Sequence, residues 1–356
     1  ILSTLKTALR RNSPIRLKPR LDPALWRWLL RFARRCNRRD MLAAGKAIQA
    51  LLNSSRRLYE ELIREEGIDC DWEARGVLFV LRSAAAMAHF GEIDHLLRTH
   101  FDLPAERWNA AELTDREPAL KPGLAGAWHY PGDAHLRPDR LMSAWRRVLE
   151  RRGVRFVRAN VETLCGERRG VSPTCRAVRT ADGNVPADAF VFATGALTPL
   201  LQGELGCPVL IQPGKGYSIT MPRPTLCPST PMLFEEDRVA VTPLRSGFRL
   251  GSMMEFVGYD RSLPAHRLDY LRKIAERYLR EPYTEPIEER WFGWRPMTPD
   301  GVPIIDRAGW GNVYLAAGHN MLGLSMAPAT GKLVAEMLSG EETHINLDPY
   351  RLARFA

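Results

Sequence analysis

The sequence predicts a mixed α/β fold with an antiparallel sheet inserted into it. Helical periodicity dominates up to about residue 153, and short strand-like segments separated by Pro and Gly follow. The chain then closes with an apolar strand, a glycine turn and a helix. An order of helix, strand, helix, strands, helix, strand, helix is that of an α/β body interrupted by a sheet. With 356 residues, 45% of them hydrophobic and 26% charged, the chain can bury a sizeable core. Two domains, or one large interleaved body, are expected at this length.

Residues 23–36 read as a helix, with Leu25, Leu29, Phe32, Ala33 and Cys36 on one stripe and Arg27, Arg31, Arg34 and Arg35 off it. A longer helix over 41–62 carries Met41, Ala44, Ile48, Leu51, Leu52, Ser55, Leu58, Tyr59 and Leu62 in register, and Gly67 is its natural stop. Residues 76–81 (GVLFVL) are strand-like and 84–100 helical. The helix over 138–153 places Leu141, Trp145, Val148 and Leu149 on one face. Strands are then expected at 154–157, 161–164, 176–179, 189–193, 217–221, 232–242 and 248–254, with a helix near 266–279. A strand at 313–317 and a helix ending near Leu338 complete the chain. No internal repeat or low-complexity tract interrupts this pattern.

Charge is unevenly placed. Residues 1–40 hold twelve Lys or Arg and two Asp, which is the whole net charge of +10. Only seven of the 51 basic residues are lysine, a bias of composition rather than of binding. A nucleic-acid footprint is spread over a face, so nucleic acid is not expected as a partner. The basic segment has two readings. Its stripe of Leu25, Leu29 and Phe32 rests on an anionic membrane surface, or it packs on the core with the arginines solvated. Six cysteines form no CxxC pair and no zinc spacing, so no metal is expected and the thiols read as reduced, in a cytoplasmic-type compartment. No apolar run approaches the roughly 18–20 residues that span a bilayer. The first residue is Ile1 and residues 1–40 do not resemble a signal peptide, so the chain reads as truncated or processed at its start.

Three segments carry chemistry. Residues 187–196 (ADAFVFATGA) form a buried strand ending in a small-residue turn. Residues 312–319 (NVYLAAGH), followed by 320–325 (NMLGLS), form a strand, a glycine turn and a helix start. Such a turn sets backbone N–H groups and a positive dipole end against an anion or an electron-rich ring. The plainer alternative is a buried strand followed by an ordinary turn. The third is 291–305 (WFGWRPMTPDGVPII), with Arg295 between an aromatic run and a Pro-rich turn. An arginine in apolar surroundings needs an anion, and a carboxylate accepts its fork bidentately. The alternative is a structural pair with Asp300 or Asp306.

These residues resemble the FAD-dependent amine oxidoreductases of the D-amino-acid oxidase and glycine oxidase superfamily, most strongly its bacterial D-amino-acid dehydrogenase branch. The likeness rests on 117–120 (EPAL), 188–195, 214–218 (GKGYS), 251–258 (GSMMEFVG), 295–303 and 317–323, which span nearly the whole chain. It implies a Rossmann-like FAD-binding domain interleaved with an antiparallel-sheet substrate domain. The expected division is 1–135, a helical segment and the first part of the substrate domain; 136–200, part of the FAD-binding domain; 201–294, the substrate sheet; and 295–356, a C-terminal FAD-binding segment and helix.

By position, the resemblance implies that Arg295 binds the substrate carboxylate. Gly318, His319, Asn320, Met321, Leu322, Gly323, Leu324 and Ser325 match the loop that wraps the flavin ring. Thr194 and Gly195 close the strand beside the cofactor, and Val161 matches a backbone contact to the adenine side. His319 is a candidate for tuning the flavin, with a hydrogen-bonded structural role as its alternative. Tyr217 and Glu255 fall in the sheet that roofs the pocket, as substrate contacts or as structural residues. Glycine oxidases carry a second substrate arginine where this chain has Met321, which points to a roomier apolar pocket. The family also opens with a βαβ unit carrying GxGxxG. This sequence has no such motif, and Ile1 aligns beyond that unit, so about 60 residues are missing. The expectation is a fragment, or a product with weakened FAD binding.

The implied reaction docks the amino-acid carboxylate on Arg295 and moves hydride from Cα to flavin. The imino acid then hydrolyses to a 2-oxo acid and ammonia, with no catalytic side chain required beyond the flavin. A quinone-type or other electron-transfer partner takes the electrons, with the protein cytoplasmic and peripheral on the inner face of the plasma membrane. The alternatives are an oxygen-using oxidase of sarcosine, glycine or a proline derivative, and a truncated, non-catalytic remnant.

Overall fold

The computed structural model describes residues 15–18, 20–167 and 173–355. In chain order the first elements are β1 (Ile15–Leu17), α1 (Pro23–Arg35), α2 (Arg38–Glu66), β2 (Val77–Leu81) and α3 (Ala84–Phe101). Next come β3 (Glu106–Asn109), α4 (Ala110–Arg116), β4 (Gly126–Tyr130) and α5 (Pro138–Arg151). Four short strands follow: β5 (Thr163–Glu167), β6 (Thr174–Thr180), β7 (Gly183–Pro186) and β8 (Phe190–Phe192). A 3₁₀ turn (Gly195–Leu201) and α6 (Gln202–Leu205) lead into β9 (Gln212–Met221), β10 (Met232–Phe234), β11 (Val239–Leu244) and β12 (Gly247–Phe256). The chain closes with α7 (Ala265–Ala275), β13 (Glu289–Met297), β14 (Ile304–Arg307), β15 (Val313–Ala317) and α8 (Gly323–Ser339). The mixed α/β class with an inserted antiparallel sheet is the one expected.

The chain divides into two compact units. The first holds the described residues before 20 together with Ile68–Trp145 and Lys215–Gly293. Its sheet runs in the order β13-β9-β12-β11-β10-β2-β4-β3, and β1 adds to β12 in parallel. The neighbours β9, β12, β11 and β10 are antiparallel. Inward-facing Ile219, Phe234, Val241, Phe248 and Leu250 meet Leu271, Ile274 and Tyr278 in one core. Phe234 and Tyr278 stack there with ring centroids 3.9 Å apart.

The second unit holds Arg20–Gly67, Arg146–Gly214 and the chain from Trp294 onward. Residues 20–67, grouped with 68–135 in the sequence reading, therefore fold elsewhere. The cause is the apolar stripe of α2: Ala47 and Leu51 pack with Met326, Ala329 and Leu333 of α8. Ser55 Oγ accepts the Ala329 amide at 3.1 Å, and the Tyr59 hydroxyl donates to Leu324 O at 2.7 Å. Gly67 ends α2 at φ +61°, a left-handed residue that glycine adopts without penalty.

Several local expectations are corrected. On α1 the buried residues are Leu25 and Trp28, while Phe32 is 45% exposed and Cys36 is exposed. The Trp28 indole donates to Met297 O at 2.9 Å, which turns the helix so that Trp26 and Leu30 face outward. The Leu25 end of the stripe thus packs inward and does not rest on a membrane. Residues 1–14 and 19 of the basic segment lie outside the described residues. No strand forms at 154–157, because the segment pairs with no other strand among the described residues. The expected strand at 232–242 is broken into β10 and β11 by a turn, with Arg238 at φ +58°. No helix among the described residues is long and apolar enough to cross a membrane.

Candidate active site

The second unit places two parallel strands side by side: β8 and β15 pair Phe190 with Val313 and Phe192 with Leu315. Both strands therefore end at the same edge, where ligands of open α/β sheets bind. β8 leaves through Thr194 into Gly195 at φ +55°, with the Thr194 and Thr198 hydroxyls 2.9 Å apart. β15 leaves into Gly318 at φ +78°, where a Cβ would stand 2.6 Å from Thr298 Cγ2. Glycine is demanded there by backbone conformation and by space.

The segment after Gly318 is tied by Asn320, itself at φ +52°. Its amide donates to Pro296 O at 3.1 Å, and its side chain accepts the Thr298 amide at 3.0 Å. The same side chain donates to Gly301 O at 2.8 Å and to Gly318 O at 3.0 Å. Sequence reasoning placed Asn320 in the loop but missed this role. An Asn directly after a turn glycine is the signal, since Asn tolerates left-handed backbone and bonds locally. His319 is buried, with Nε2 2.9 Å from the Thr330 hydroxyl of α8. Burial pushes its pKa down to about 4, so the ring is neutral near pH 7.

Helix α8 opens at Gly323 with no side chain capping it and no acidic residue in its first turn. Its leading N–H groups and positive dipole end are thus left for a ligand. Met321 is 65% exposed and Leu322 36%, and Ser325 is also exposed, so this loop presents both backbone and apolar surface. Leu324 is half-buried under the Tyr59 bond. Val161 is exposed in the segment before β5 that forms neither helix nor strand.

Arg295 sits on the part of β13 that belongs to the same unit, one residue before the Pro296 carbonyl held by Asn320. Arg295 is half-buried, and desolvation lowers its pKa from the ordinary value. The two carboxylates weighed as its structural partners make the following bonds. Asp300 binds Arg354 at 2.7 Å and the Val302 amide at 3.2 Å. Asp306 accepts from the Leu352 amide at 2.7 Å and the Arg307 amide at 2.8 Å.

Tyr217 and Glu255 lie in the first unit, on β9 and β12. The Tyr217 hydroxyl donates to Glu255 Oε2 at 2.6 Å, and Arg267 binds Oε1. All three are buried. Both carboxylate oxygens are therefore occupied by the chain itself. Burial and the Glu255 carboxylate together raise the Tyr217 pKa far above its usual value.

Paired strand ends, left-handed glycines without side chains and an uncapped helix start fit an extended dinucleotide cofactor such as FAD. Gly195, Gly318 and the N–H groups at the head of α8 would hold it.

Comparison with known proteins agrees. The pattern that defines the DAO family, "FAD dependent oxidoreductase", matches residues 20–337. A D-amino acid dehydrogenase of Granulibacter bethesdensis is 32% identical over 364 residues, covering 100% of this chain and 85% of that protein. One from Agrobacterium fabrum is 30% identical over 360 residues, again 100% and 85%. Among solved structures, glycine oxidase from Geobacillus kaustophilus superposes with a TM-score of 0.77 at 24% identity, over 86% of this chain and 82% of that one. L-proline dehydrogenase from P. horikoshii gives 0.72 at 21%, over 86% and 82%. These two likenesses show the fold. The chain belongs to the DAO family of FAD-dependent oxidoreductases.

Proposed function

We propose that the chain oxidises free D-amino acids to 2-oxo acids and ammonia and hands the electrons to a quinone-type acceptor. The observation that carries this reading is Arg295, a half-buried guanidinium tied through Pro296 and Asn320 to the cofactor loop. A planar fork in such a place suits the carboxylate shared by all amino acids. When bound, FAD supplies the two-electron acceptor.

The chain's own groups bind and orient. Arg295 fixes the carboxylate, and Asn320 holds the turn that carries Arg295 against the loop at 318–325. His319, neutral because it is buried, adds no charge to that loop. In balance, the amino acid loses two electrons and two protons to give the imino acid. Water then adds and ammonia leaves. Met321, apolar and exposed, suits substrates with larger apolar side chains than glycine. The dehydrogenase names of the relatives support D-configured substrates and an acceptor other than oxygen. Quinones lie in the bilayer, so the protein would work peripherally at the inner face of the plasma membrane.

The test uses the FAD-loaded protein with D-alanine, L-alanine, glycine and sarcosine. Dye or soluble-quinone reduction is followed beside oxygen uptake. Quinone reduction with D-alanine, without matching oxygen uptake, is the expected result. Preference for an L-amino acid, or oxygen uptake that accounts for all turnover of glycine or sarcosine, would overturn the reading.

A further inference from the structure

Helix α1 shows two different faces. Leu25 and Trp28 are buried, 0% and 3% exposed. Trp26 and Leu30 lie outward at 51% and 54%, and Ala33 continues their row at helical spacing. The Trp26 indole is fixed at the surface by a hydrogen bond from Nε1 to Arg20 O at 3.0 Å. Arg27 and Arg34 run beside this row, exposed, and pair with no acidic side chain among the described residues. Between Asp22 and Asp40 the sequence holds six arginines and no acidic residue.

We propose that this outward face of α1 lies on an anionic lipid surface. A basic helix with Trp and Leu on the same side is the form that settles in a headgroup layer. The apolar row supplies burial, and the flanking arginines supply attraction to lipid phosphates. The face assigned here is the one opposite the Leu25 side. Charge complementarity selects the partner: the residues beyond 40 are neutral overall, so the chain's net positive charge lies in the segment that carries this helix. The inference rests on the quinone-linked reading for its purpose, while lipid binding and turnover fail separately.

The experiment is co-sedimentation of the FAD-loaded full chain with two kinds of vesicle. One is phosphatidylcholine alone, and the other is phosphatidylcholine with phosphatidylglycerol in equal parts. Binding only to the anionic vesicles, weakened by salt, is expected. Each arginine at such a surface contributes about fivefold to partitioning, so Arg27→Ala with Arg34→Ala should weaken binding about thirtyfold. Trp26→Ser with Leu30→Ser should weaken it as well, with the protein still folded at the assay temperature, which thermal unfolding checks. Equal sedimentation with both vesicles, or anionic binding unaffected by all four substitutions, would overturn the proposal. Tighter binding to duplex DNA or RNA than to the anionic vesicles would overturn it too.

Discussion

Asn320 receives the Thr298 amide hydrogen bond at 3.0 Å, and its own amide reaches Pro296 at 3.1 Å. Two segments more than twenty residues apart are thereby fastened at two points. One carries Arg295, the proposed carboxylate anchor, and the other is the loop at the head of α8. One side chain and one peptide N–H thereby tie the Arg295 segment to that loop.

Asn320→Ala should therefore do more than loosen a turn. It strips acceptors and donors from Thr298, Gly301 and Gly318, each worth about 1 kcal/mol, and adds about 1 kcal/mol of left-handed strain. A stability loss of about 4 kcal/mol is expected, with KM for the amino acid rising more than kcat falls. Asn320→Gly removes the strain but still lacks the side-chain bonds. It should recover part of the melting temperature and leave KM raised. Unchanged KM in both variants would show that the tie does not position Arg295.

His319 gives a pH dependence whose sign follows from burial. Its folded pKa, about 4, lies below the ordinary 6.5, so the unfolded chain binds the proton more readily. The contribution is present above about pH 6.5 and is lost as pH falls towards 4. Between pH 7 and pH 5 that loss is about 2 kcal/mol. Urea unfolding at both pH values should show it in the parent. His319→Gln can keep a bond to Thr330 without titrating, and its stability should change less over the same interval. An equal slope in the two proteins would place the sensitivity elsewhere.

Glu255 and Tyr217 separate a structural from a substrate role. Glu255→Gln leaves Arg267 buried beside a neutral amide, which should cost about 3–5 kcal/mol in stability. Tyr217→Phe removes one donor from Glu255 and should cost about 1–2 kcal/mol. Because both oxygens of Glu255 are taken by the chain, kcat/KM per folded molecule should hold in Tyr217→Phe. A hundredfold fall there with normal melting would instead mark a substrate contact.

Local signals were readable wherever one stretch of chain decides its own structure. The stripe of α2 with its Gly67 stop, and the strand and glycine turn at 313–318, are cases of this kind. The sequence misleads where a distant partner decides. Residues 154–157 have strand composition, but a strand exists only through its neighbour. β13 was read as an aromatic run, since WFGWRPM has no polar alternation to mark a pleat. Asp300 and Asp306 looked like partners for Arg295 because they are near in sequence. Each is bonded to a residue from the end of the chain, Arg354 and Leu352, which sequence proximity does not reveal. The Glu255 to Arg267 pair joins a strand to a helix and leaves no periodic trace.

Arg295, the proposed carboxylate anchor, is the decisive residue. If Arg295 binds the substrate anion, truncation leaves that anion desolvated without its partner. Removing one member of such a pair costs about 2–5 kcal/mol, or about thirtyfold to several-thousandfold in kcat/KM. Arg295→Lys should recover only part of the loss, because a point charge cannot reproduce the bidentate fork. Flavin content should stay nearly unchanged in both variants, since the arginine is assigned to the substrate and not to the cofactor. A purely structural arginine gives the opposite pattern, with melting lowered and kinetics per folded molecule intact. The measurement is therefore paired: steady-state kinetics with a D-amino acid, and thermal unfolding, on the parent, Arg295→Ala and Arg295→Lys. Competitive inhibition by a simple carboxylate such as benzoate adds a second readout, and it should weaken in step with kcat/KM. Near-normal kcat/KM and undiminished benzoate inhibition in Arg295→Ala would remove the anchor, and with it the main support for an amino-acid substrate.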